Sequence, residues 1–321
     1  MTNSTTSIMK FRFGTVVIAS DGEAGSIASV VVQPGQRTIT DVAVKLPGNI
    51  TIAVPLERVV DAHSGETHLN TTREAVLQTM PALSKDATIL SRHTQVIVNG
   101  NSLGTLTQVS MTTNNHTLHR LTIKRGMGSE VLVEANQIRE IGDQGHSITC
   151  TLPAGTTLIP YRPDADLQDD VHSALWNYAR LRVDLRAVQL RVIDGEVWLT
   201  GHVSSTLNRR VMSELLEGIK GLVAIHNELV ADSDLAIEIS RALADDPRTH
   251  GQRFGVYPNL GKVYLRGKTK SPEAAQVAQE IAAGVNHGQT IINELRIDTV
   301  GTFLPMLAPV TGNEDVIPGG D

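Results

Sequence analysis

The chain has 321 residues, of which 40% are hydrophobic and 19% are charged, a composition that excludes a disordered chain and allows several small domains. Its formal net charge is −6, yet residues 1–165 carry 13 basic and 13 acidic side chains, and residues 166–298 carry 15 and 18. No segment is basic overall, so the sequence argues against DNA binding and against a large RNA-binding surface. The single cysteine, Cys150, excludes an internal disulfide framework and reads as a small strand residue.

The sequence also bears on where the protein acts. No apolar run approaches the ~18 residues that a membrane-spanning helix needs. Residues 1–7 have neither the basic flank nor the apolar core of a secretory signal. These patterns predict a cytoplasmic protein, with peripheral membrane association as the alternative.

The first half of the chain is a series of short strands rich in valine and isoleucine. They begin near Phe13, and glycine-containing turns separate them at residues 20–25 and 33–37. The pattern recurs, more faintly, about 79 residues later. The matched residues include Gly25 with Gly104, Val30 with Val109, Ile39 with Leu118, and Val44 with Ile123. Short strands at regular spacing predict small barrels, and a short helix is predicted at residues 73–80.

One motif in this half resembles a known family. Asp21-Gly22-Glu23-Ala24-Gly25-Ser26-Ile27, followed by strands, a Pro-Gly turn and the step Val54-Pro55-Leu56, is similar to the PRC-barrel. In the second copy, Val133-Glu134-Ala135 replaces that step. The resemblance implies two small β-barrel domains, at residues 10–80 and 88–160. It also implies a role in docking to proteins, RNA machinery or membranes, without shared catalytic residues.

The second half contains a clearer repeat. The stretch from Gly195 to Gly201 (GEVWLTG) returns 66 residues later as GKVYLRG. In each copy, the sequence pattern predicts a helix, a hairpin, a second helix and a final strand. In the first copy Asp166 is expected to cap the first helix, Asp194-Gly195 to form the hairpin turn, and Ser204-Ser205 to open the second helix. In the second copy the expected caps are Asp234 and Ser271, the latter followed by proline.

This αββαβ order, with Gly-x-Val-x-Leu-x-Gly and an Asn-x-Leu ending, resembles the BON domain over residues 166–298. The second copy departs from the family pattern at His287-Gly288-Gln289. The resemblance implies α+β modules that bind phospholipid or partner proteins, with boundaries at residues 164–232 and 233–298. The predicted fold is therefore multidomain: two β-barrel units, two αββαβ units, and a tail at residues 299–321.

No group of residues predicts catalysis. His116 and His119 lie three apart, and on an alternating strand they would point to opposite faces, which argues against a metal site. Asp169-Asp170 and Asp245-Asp246 read as solvated surface charges and not as a general acid–base pair. The sequence predicts a protein that is not an enzyme and that has no cofactor or metal.

Three sets of residues are candidates for interaction surfaces. The basic set is expected along and near the strand before the first hairpin, and it suits phosphate headgroups or an acidic partner: Arg180, Arg182, Arg186, Arg191, Arg209 and Arg210. The alternative is an ordinary charged surface balanced by Asp184 and Asp194. Trp198 and Tyr264 occupy equivalent strand positions and are expected to be half-buried packing residues, with ligand stacking as the alternative.

The third set lies in the tail. Phe303, Leu304 and Leu307 belong to an apolar run that contains two prolines, which break a helix and remove ladder hydrogen bonds. The pattern predicts an extended segment that docks into an apolar groove, with a plain terminus as the alternative.

Taken together, these features predict a non-enzymatic scaffold or adaptor that works by protein–protein contact and self-associates as a homo-oligomer. One alternative is a peripheral module that senses lipid or a small ligand through the BON pair. Another is an adaptor of the RNA machinery, which the balanced charge of residues 1–165 disfavours.

Overall fold

The structure is a computed structural model that describes residues 7–63, 65–84, 86–126, 128–285 and 287–297. The described residues form two compact units. One comprises residues up to Gly201 together with Leu207–Leu229, and the other comprises His202–Thr206 and the residues from Val230 onward.

Residues 7–160, called here the β-rich half, form two antiparallel-dominated sheets. Their elements are β1 (Ile8–Arg12), β2 (Val16–Ala19), β3 (Gly22–Val32), β4 (Ile39–Lys45), β5 (Thr51–Pro55), β6 (Val59–His63), β7 (Glu66–Leu69), α1 (Arg73–Thr79), β8 (Thr88–Ser91), β9 (Gln95–Val98), β10 (Asn101–Thr112), β11 (Leu118–Arg125), β12 (Ser129–Glu134), β13 (Ile138–Gly142), β14 (Ser147–Cys150) and β15 (Ile159–Pro160). The β-rich character of this half, the short helix and the strand position of Cys150 are confirmed.

The two sheets exchange their first strands. The first sheet has the order β5-β4-β3-β2-β7-β6, and the second has the order β13-β14-β9-β10-β11-β12-β15. Strand β1 pairs with β10 of the second sheet, and β8 pairs with β3 of the first. The registers are equivalent at the 79-residue offset, because Phe11 faces Val109 and Leu90 faces Val30. Each copy therefore completes the sheet of the other.

The exchange is arranged about a local two-fold relation at Thr38 and Thr117, which form a bridge between the sheets. The Ile39 amide donates to the His116 carbonyl, and the Leu118 amide donates to the Arg37 carbonyl. The buried side chains of both sheets form one continuous hydrophobic cluster. Consequently the apolar core of the β-rich half is shared by both copies.

Gly25 and Gly104 occupy equivalent positions of the repeat, but they are not the turn glycines that the sequence predicts. The tight turns lie earlier, and both glycines lie inside long strands, β3 and β10. A Cβ at Gly25 would lie 2.3 Å from the Lys45 carbonyl oxygen, and one at Gly104 would lie 2.0 Å from the Lys124 carbonyl oxygen. Glycine is required there because a neighbouring backbone approaches closely.

Residues 164–231 and 232–297, called here the first and second αββαβ copies, have the predicted element order. The first contains α2 (Asp164–Asn177), β16 (Val188–Ile193), β17 (Glu196–Val203), α3 (Thr206–Leu216), β18 (Ala224–Asn227) and β19 (Val230–Ala231). The second contains α4 (Asp232–Asp245), β20 (Arg253–Asn259), β21 (Lys262–Thr269), α5 (Pro272–Gly284) and β22 (Thr290–Ile297). In each copy the hairpin is antiparallel and the third strand pairs in parallel with the second.

Two helix starts differ from the sequence prediction. Helix α2 begins at Asp164 and not after Asp166, and α4 begins at Asp232 and not after Asp234. In both copies the first aspartate of the helix accepts a hydrogen bond from a backbone amide of the hairpin turn. The Ser271 cap is confirmed, since its hydroxyl accepts from the Ala274 amide with Pro272 at the first helical position.

The exchanged strands generate the first prediction. Phe11 is fully buried on β1. We expect Phe11→Ala to lower the free energy of unfolding by about 3–5 kcal/mol, the usual cost of emptying an aromatic site in a core. Because β1 completes the second sheet, hydrogen–deuterium exchange of the variant should show lost protection in β10 and β11. Val60→Ala, at an exposed position on β6, is the control. Lost protection confined to the first sheet would contradict the exchange.

Candidate functional site

A buried arginine links the β-rich half to the first αββαβ copy. Arg120 projects from β11, and its side chain is only 2% exposed. Its Nη1 donates to Asp194 Oδ2 at 2.9 Å and also to the Asp194 carbonyl, while Nη2 donates to Glu196 Oε1 at 2.8 Å. Its Nε donates to Glu134 Oε1 at 2.8 Å. A buried cation needs such partners, because removal from water costs several kcal/mol.

Asp194 belongs to the hairpin turn predicted by the sequence, and Glu196 is the first residue after that turn. Asp194 has a φ of 54° and Gly195 has a φ of 77°, as in a tight turn between β16 and β17. Asp194 Oδ2 also accepts from the Ser110 hydroxyl at 2.7 Å. The turn is therefore a point at which this copy contacts β10 and β11.

Two histidines complete the arrangement. Nε2 of His119 lies 3.3 Å from Glu196 Oε1, and Nε2 of His226 donates to Glu196 Oε2 at 2.7 Å. Burial raises the pKa of Glu196, but the hydrogen bonds from His119, Arg120 and His226 outweigh burial and lower that pKa to about 2. Burial lowers the pKa of Arg120, but the charges of Asp194 and Glu134 reverse the effect and raise it. Both groups are thus charged at neutral pH.

The side chain of Asp164 makes a second contact with the same turn. Asp164, the first residue of α2, accepts from the Asp194 amide at 2.8 Å and from the Gly195 amide at 3.0 Å. Its carboxylate also pairs with the buried Lys10 of β1. In the second αββαβ copy Asp232 accepts from the Leu260 amide at 2.7 Å, at the equivalent turn. Helix-start carboxylates therefore stabilise the hairpin turns of both copies.

The six arginines of the basic set are not brought together on one strand. Of the described residues in this set, only Arg191 lies on β16, whereas Arg180, Arg182 and Arg186 lie in or beside short 3-10 turns between α2 and β16. Arg209 and Arg210 lie on α3, where Arg210 pairs with Glu214 at 3.2 Å. The strand expectation was wrong for three members because a helical connection precedes β16.

A groove lies between α2 and β16. It has a volume of about 290 Å³ and is called here the arginine groove; its lining is His172, Leu175, Trp176, Arg182, Leu185, Arg186, Val188 and Leu190. Trp176 is 49% exposed. The Arg182 guanidinium lies 5.9 Å from the centre of the Trp176 ring and donates to the Trp176 carbonyl. The groove thus combines an exposed tryptophan, aliphatic walls and two exposed arginines.

The two aromatic candidates lie on the sheet faces that the helices leave uncovered. Trp198 is half-buried and stacks on His226, with ring centres 3.8 Å apart. Tyr264 is half-buried and faces Tyr257 across the β20–β21 pair. The Arg266 guanidinium lies 4.8 Å from the Tyr264 ring centre. Sequence reasoning missed His226 and Tyr257, which only cross-strand register identifies.

The comparisons with known proteins address the second half of the chain. The model of the BON domain family matches residues 163–231 and 231–299. Residues 163–299 therefore contain two tandem BON domains. The match confirms the resemblance inferred from the sequence, and the observed αββαβ copies coincide with the matched residues. No curated protein matches the chain.

Two solved structures are weakly similar to the chain. Both are of CdsD, a structural protein of the Type III secretion system of Chlamydia trachomatis, and one is described as its C-terminal domain. Each is 18% identical with a TM-score of 0.35 and covers 41% of this chain. The match spans 61% and 64% of the two CdsD chains, which is less than two thirds of either. At this TM-score the likeness carries no argument about function.

The two histidines considered as metal ligands do not lie on the same strand. His116 lies in a turn with a φ of 56° and not on a strand, while His119 is on β11. Within the described ranges, no three His, Cys, Asp or Glu residues are arranged to hold a metal ion. Burial raises the pKa of Cys150 to about 11. Phe303, Leu304 and Leu307 lie outside the described residues.

The helices of the two BON domains are short and amphipathic. Among the residues that the structure describes, no helix is long and apolar enough to cross a membrane.

The Arg120 contacts generate the second prediction. Because the pKa of Glu196 falls from an ordinary 4.5 to about 2 on folding, its charge stabilises the folded chain fully above about pH 4.5. That contribution, about 3 kcal/mol at 1.36 kcal/mol per pKa unit, is lost as the pH falls through 2. The stability difference between the natural chain and Glu196→Gln should therefore shrink as the pH falls from about 4.5 towards 2. Urea denaturation across this range measures it.

The exposed Glu140 provides the control, since Glu140→Gln should give no such pH-dependent difference. A difference for Glu196→Gln that does not change below pH 4.5 would contradict the assignment of charge to Glu196.

Proposed function

We propose that the protein is a non-enzymatic scaffold that assembles with copies of itself and with protein partners. The observation that carries the proposal is the arginine groove. Trp and Arg are the residues most enriched among the energetic centres of protein interfaces, and here both line one apolar depression. A partner side chain that enters the groove would cover Trp176 and the aliphatic walls while the arginines contact its polar rim.

The groove lies on a rigidly held support. The Asp194–Glu196 hairpin of the first BON domain is fixed to β11 through Arg120 and to β1 through Asp164 and Lys10. Binding to a preorganised surface loses less conformational entropy than binding to a mobile one. This arrangement suits a domain that presents a surface and performs no chemistry.

The charge pattern of α2 favours a second copy of the chain as the partner. The first part of the helix exposes the acidic residues Asp166, Asp169 and Asp170, and the arginine groove lies beside its last turns. Two antiparallel α2 helices related by a two-fold axis would bring the acidic end of each towards Arg182 and Arg186 of the other. Such self-complementary contacts are the usual basis of dimers.

The same groove supports one alternative, a peripheral module that binds anionic lipid. Exposed arginines beside an apolar, tryptophan-containing surface also suit phosphate headgroups and the acyl boundary. The finer assignment of the β-rich half to PRC-barrel units, each closed as a small barrel, is likewise a proposal. It is supported by the Asp-Gly-Glu-Ala-Gly motif and the strand order. The described residues supply no specific observation in favour of an RNA adaptor.

The third prediction tests the groove. Sedimentation velocity of the full chain at roughly tens of micromolar, a range suited to weak oligomers, should show a mass above that of the monomer. Trp176→Ala should weaken association about 30-fold, equivalent to about 2 kcal/mol. Arg182→Glu with Arg186→Glu should also weaken it, whereas the charge-matched control Arg92→Glu with Arg125→Glu on the β-rich half should not.

A parallel measurement separates lipid from protein. The chain is mixed with vesicles of phosphatidylglycerol and phosphatidylcholine and floated on a density gradient. A monomer that floats with the vesicles in a Trp176-dependent manner would replace the scaffold proposal with the lipid alternative. A monomer that binds neither vesicles nor copies of itself through the groove would refute both.

A further inference from the structure

The second BON domain has a sheet face that its helices do not cover. Helices α4 and α5 pack on one face through Leu235, Ile239, Ala278 and Ala282. Strand β21 alternates, so Val263 and Leu265 point into that core. The opposite side is called here the open face, and its described side chains are Tyr257, Asn259, Lys262, Tyr264, Arg266, Lys268, Thr290, Ile292, Glu294 and Arg296.

The open face is basic although the chain is acidic overall. Among its described side chains, Lys262, Arg266, Lys268 and Arg296 are cationic and Glu294 alone is acidic. Glu294 accepts from Arg266 Nε at 2.6 Å and holds that guanidinium over the sheet. The face therefore presents a net positive surface to any ligand.

Its centre is aromatic. Tyr257 is 53% exposed and lies opposite Tyr264. Arg266 lies 5.8 Å from the Tyr257 ring centre and 4.8 Å from the Tyr264 ring centre, which keeps the two rings and the cation together. Exposed rings of this kind are the surfaces on which proline-containing extended segments dock, because such segments are already restricted in conformation.

The chain carries a segment with complementary chemistry next to this face. Residues 298–321 contain Asp298, Glu314, Asp315 and Asp321 and no lysine or arginine. Pro305 and Pro309 interrupt the apolar run from Phe303 to Val310. The segment continues from Ile297, the last residue of β22, where Lys268 and Arg296 are paired across the sheet.

Covalent attachment makes this segment the favoured occupant. Its 24 residues can extend up to about 80 Å, whereas an eight-residue strand is about 27 Å long. The segment can therefore return across the whole face. A short connection gives an effective concentration in the millimolar range, about a thousand times a typical micromolar concentration of a free competitor.

We propose that residues 298–321 dock on the open face of their own chain, with the proline-containing run against Tyr257 and Tyr264 and the acidic residues towards the cations. This inference goes beyond the proposed function, because it concerns a surface separate from the arginine groove and its test does not depend on self-association through that groove.

Photocrosslinking in the full chain tests the proposal. With p-benzoylphenylalanine in place of Tyr257, irradiation and mass spectrometry should identify crosslinks to residues 298–321 of the same chain. The control position is Ile237 on α4, which is also well exposed but lies on the helical side; it should give no such crosslinks. Equal mixtures of nitrogen-14 and nitrogen-15 chains distinguish crosslinks within a chain from crosslinks between copies.

The chemistry of docking is tested by charge reversal. Glu314→Lys with Asp315→Lys should lower the crosslink yield at least about threefold, a loss of about 0.7 kcal/mol by the relation between free energy and equilibrium constant. Asp245→Lys, an exposed acid at the end of α4, should leave the yield unchanged. Crosslinks from Tyr257 to another copy, to other parts of the chain, or to nothing would overturn docking within the chain. Unchanged yield on charge reversal would overturn the electrostatic contact.

Discussion

The structure depends on the burial of one charge. The Arg120 guanidinium has left water almost completely, and a buried cation without partners is strongly unfavourable. Two of its three carboxylate partners, Asp194 and Glu196, belong to the first BON domain, so the cost is met only when that domain contacts β11 in one orientation. Separation of the two parts would leave Arg120 with Glu134 as its only carboxylate partner and would remove the Arg120 contacts of Asp194 and Glu196. The contacts of Arg120 with Asp194 and Glu196 therefore hold the hairpin in position against β11.

The exchange of strands β1 and β8 holds the two copies of the β-rich half together. Because each strand lies in the other copy's sheet, the apolar cluster is continuous and neither copy buries its core alone. Lys10 connects the two constraints, since it lies on the exchanged strand β1 and pairs with Asp164 beneath the hairpin. A perturbation of β1 therefore reaches both the second sheet and the first BON domain, which suits a scaffold whose surfaces must keep a fixed geometry.

The sequence was informative where a pattern is local or repeated. The offsets of 79 and 66 residues identified equivalent strands, and Asp194-Gly195 and Ser271-Pro272 identified a turn and a cap, because φ preferences and capping act within a few residues. It could not show the strand exchange, since β1 has the same alternation whichever sheet it joins. Nor could it show the pairing of Arg120 with Glu196, which are 76 residues apart, or that Trp176 and Arg182 line a groove.

We infer that the β-rich half and the first BON domain behave as one cooperative unit joined through Arg120. Native-state hydrogen exchange in increasing denaturant measures this directly, because it reports the free energy of each opening reaction. We expect the slowest amides of β10, β11 and β17 to share one opening free energy and one denaturant dependence. Exchange of the β17 amides through an opening that leaves β11 protected would contradict it.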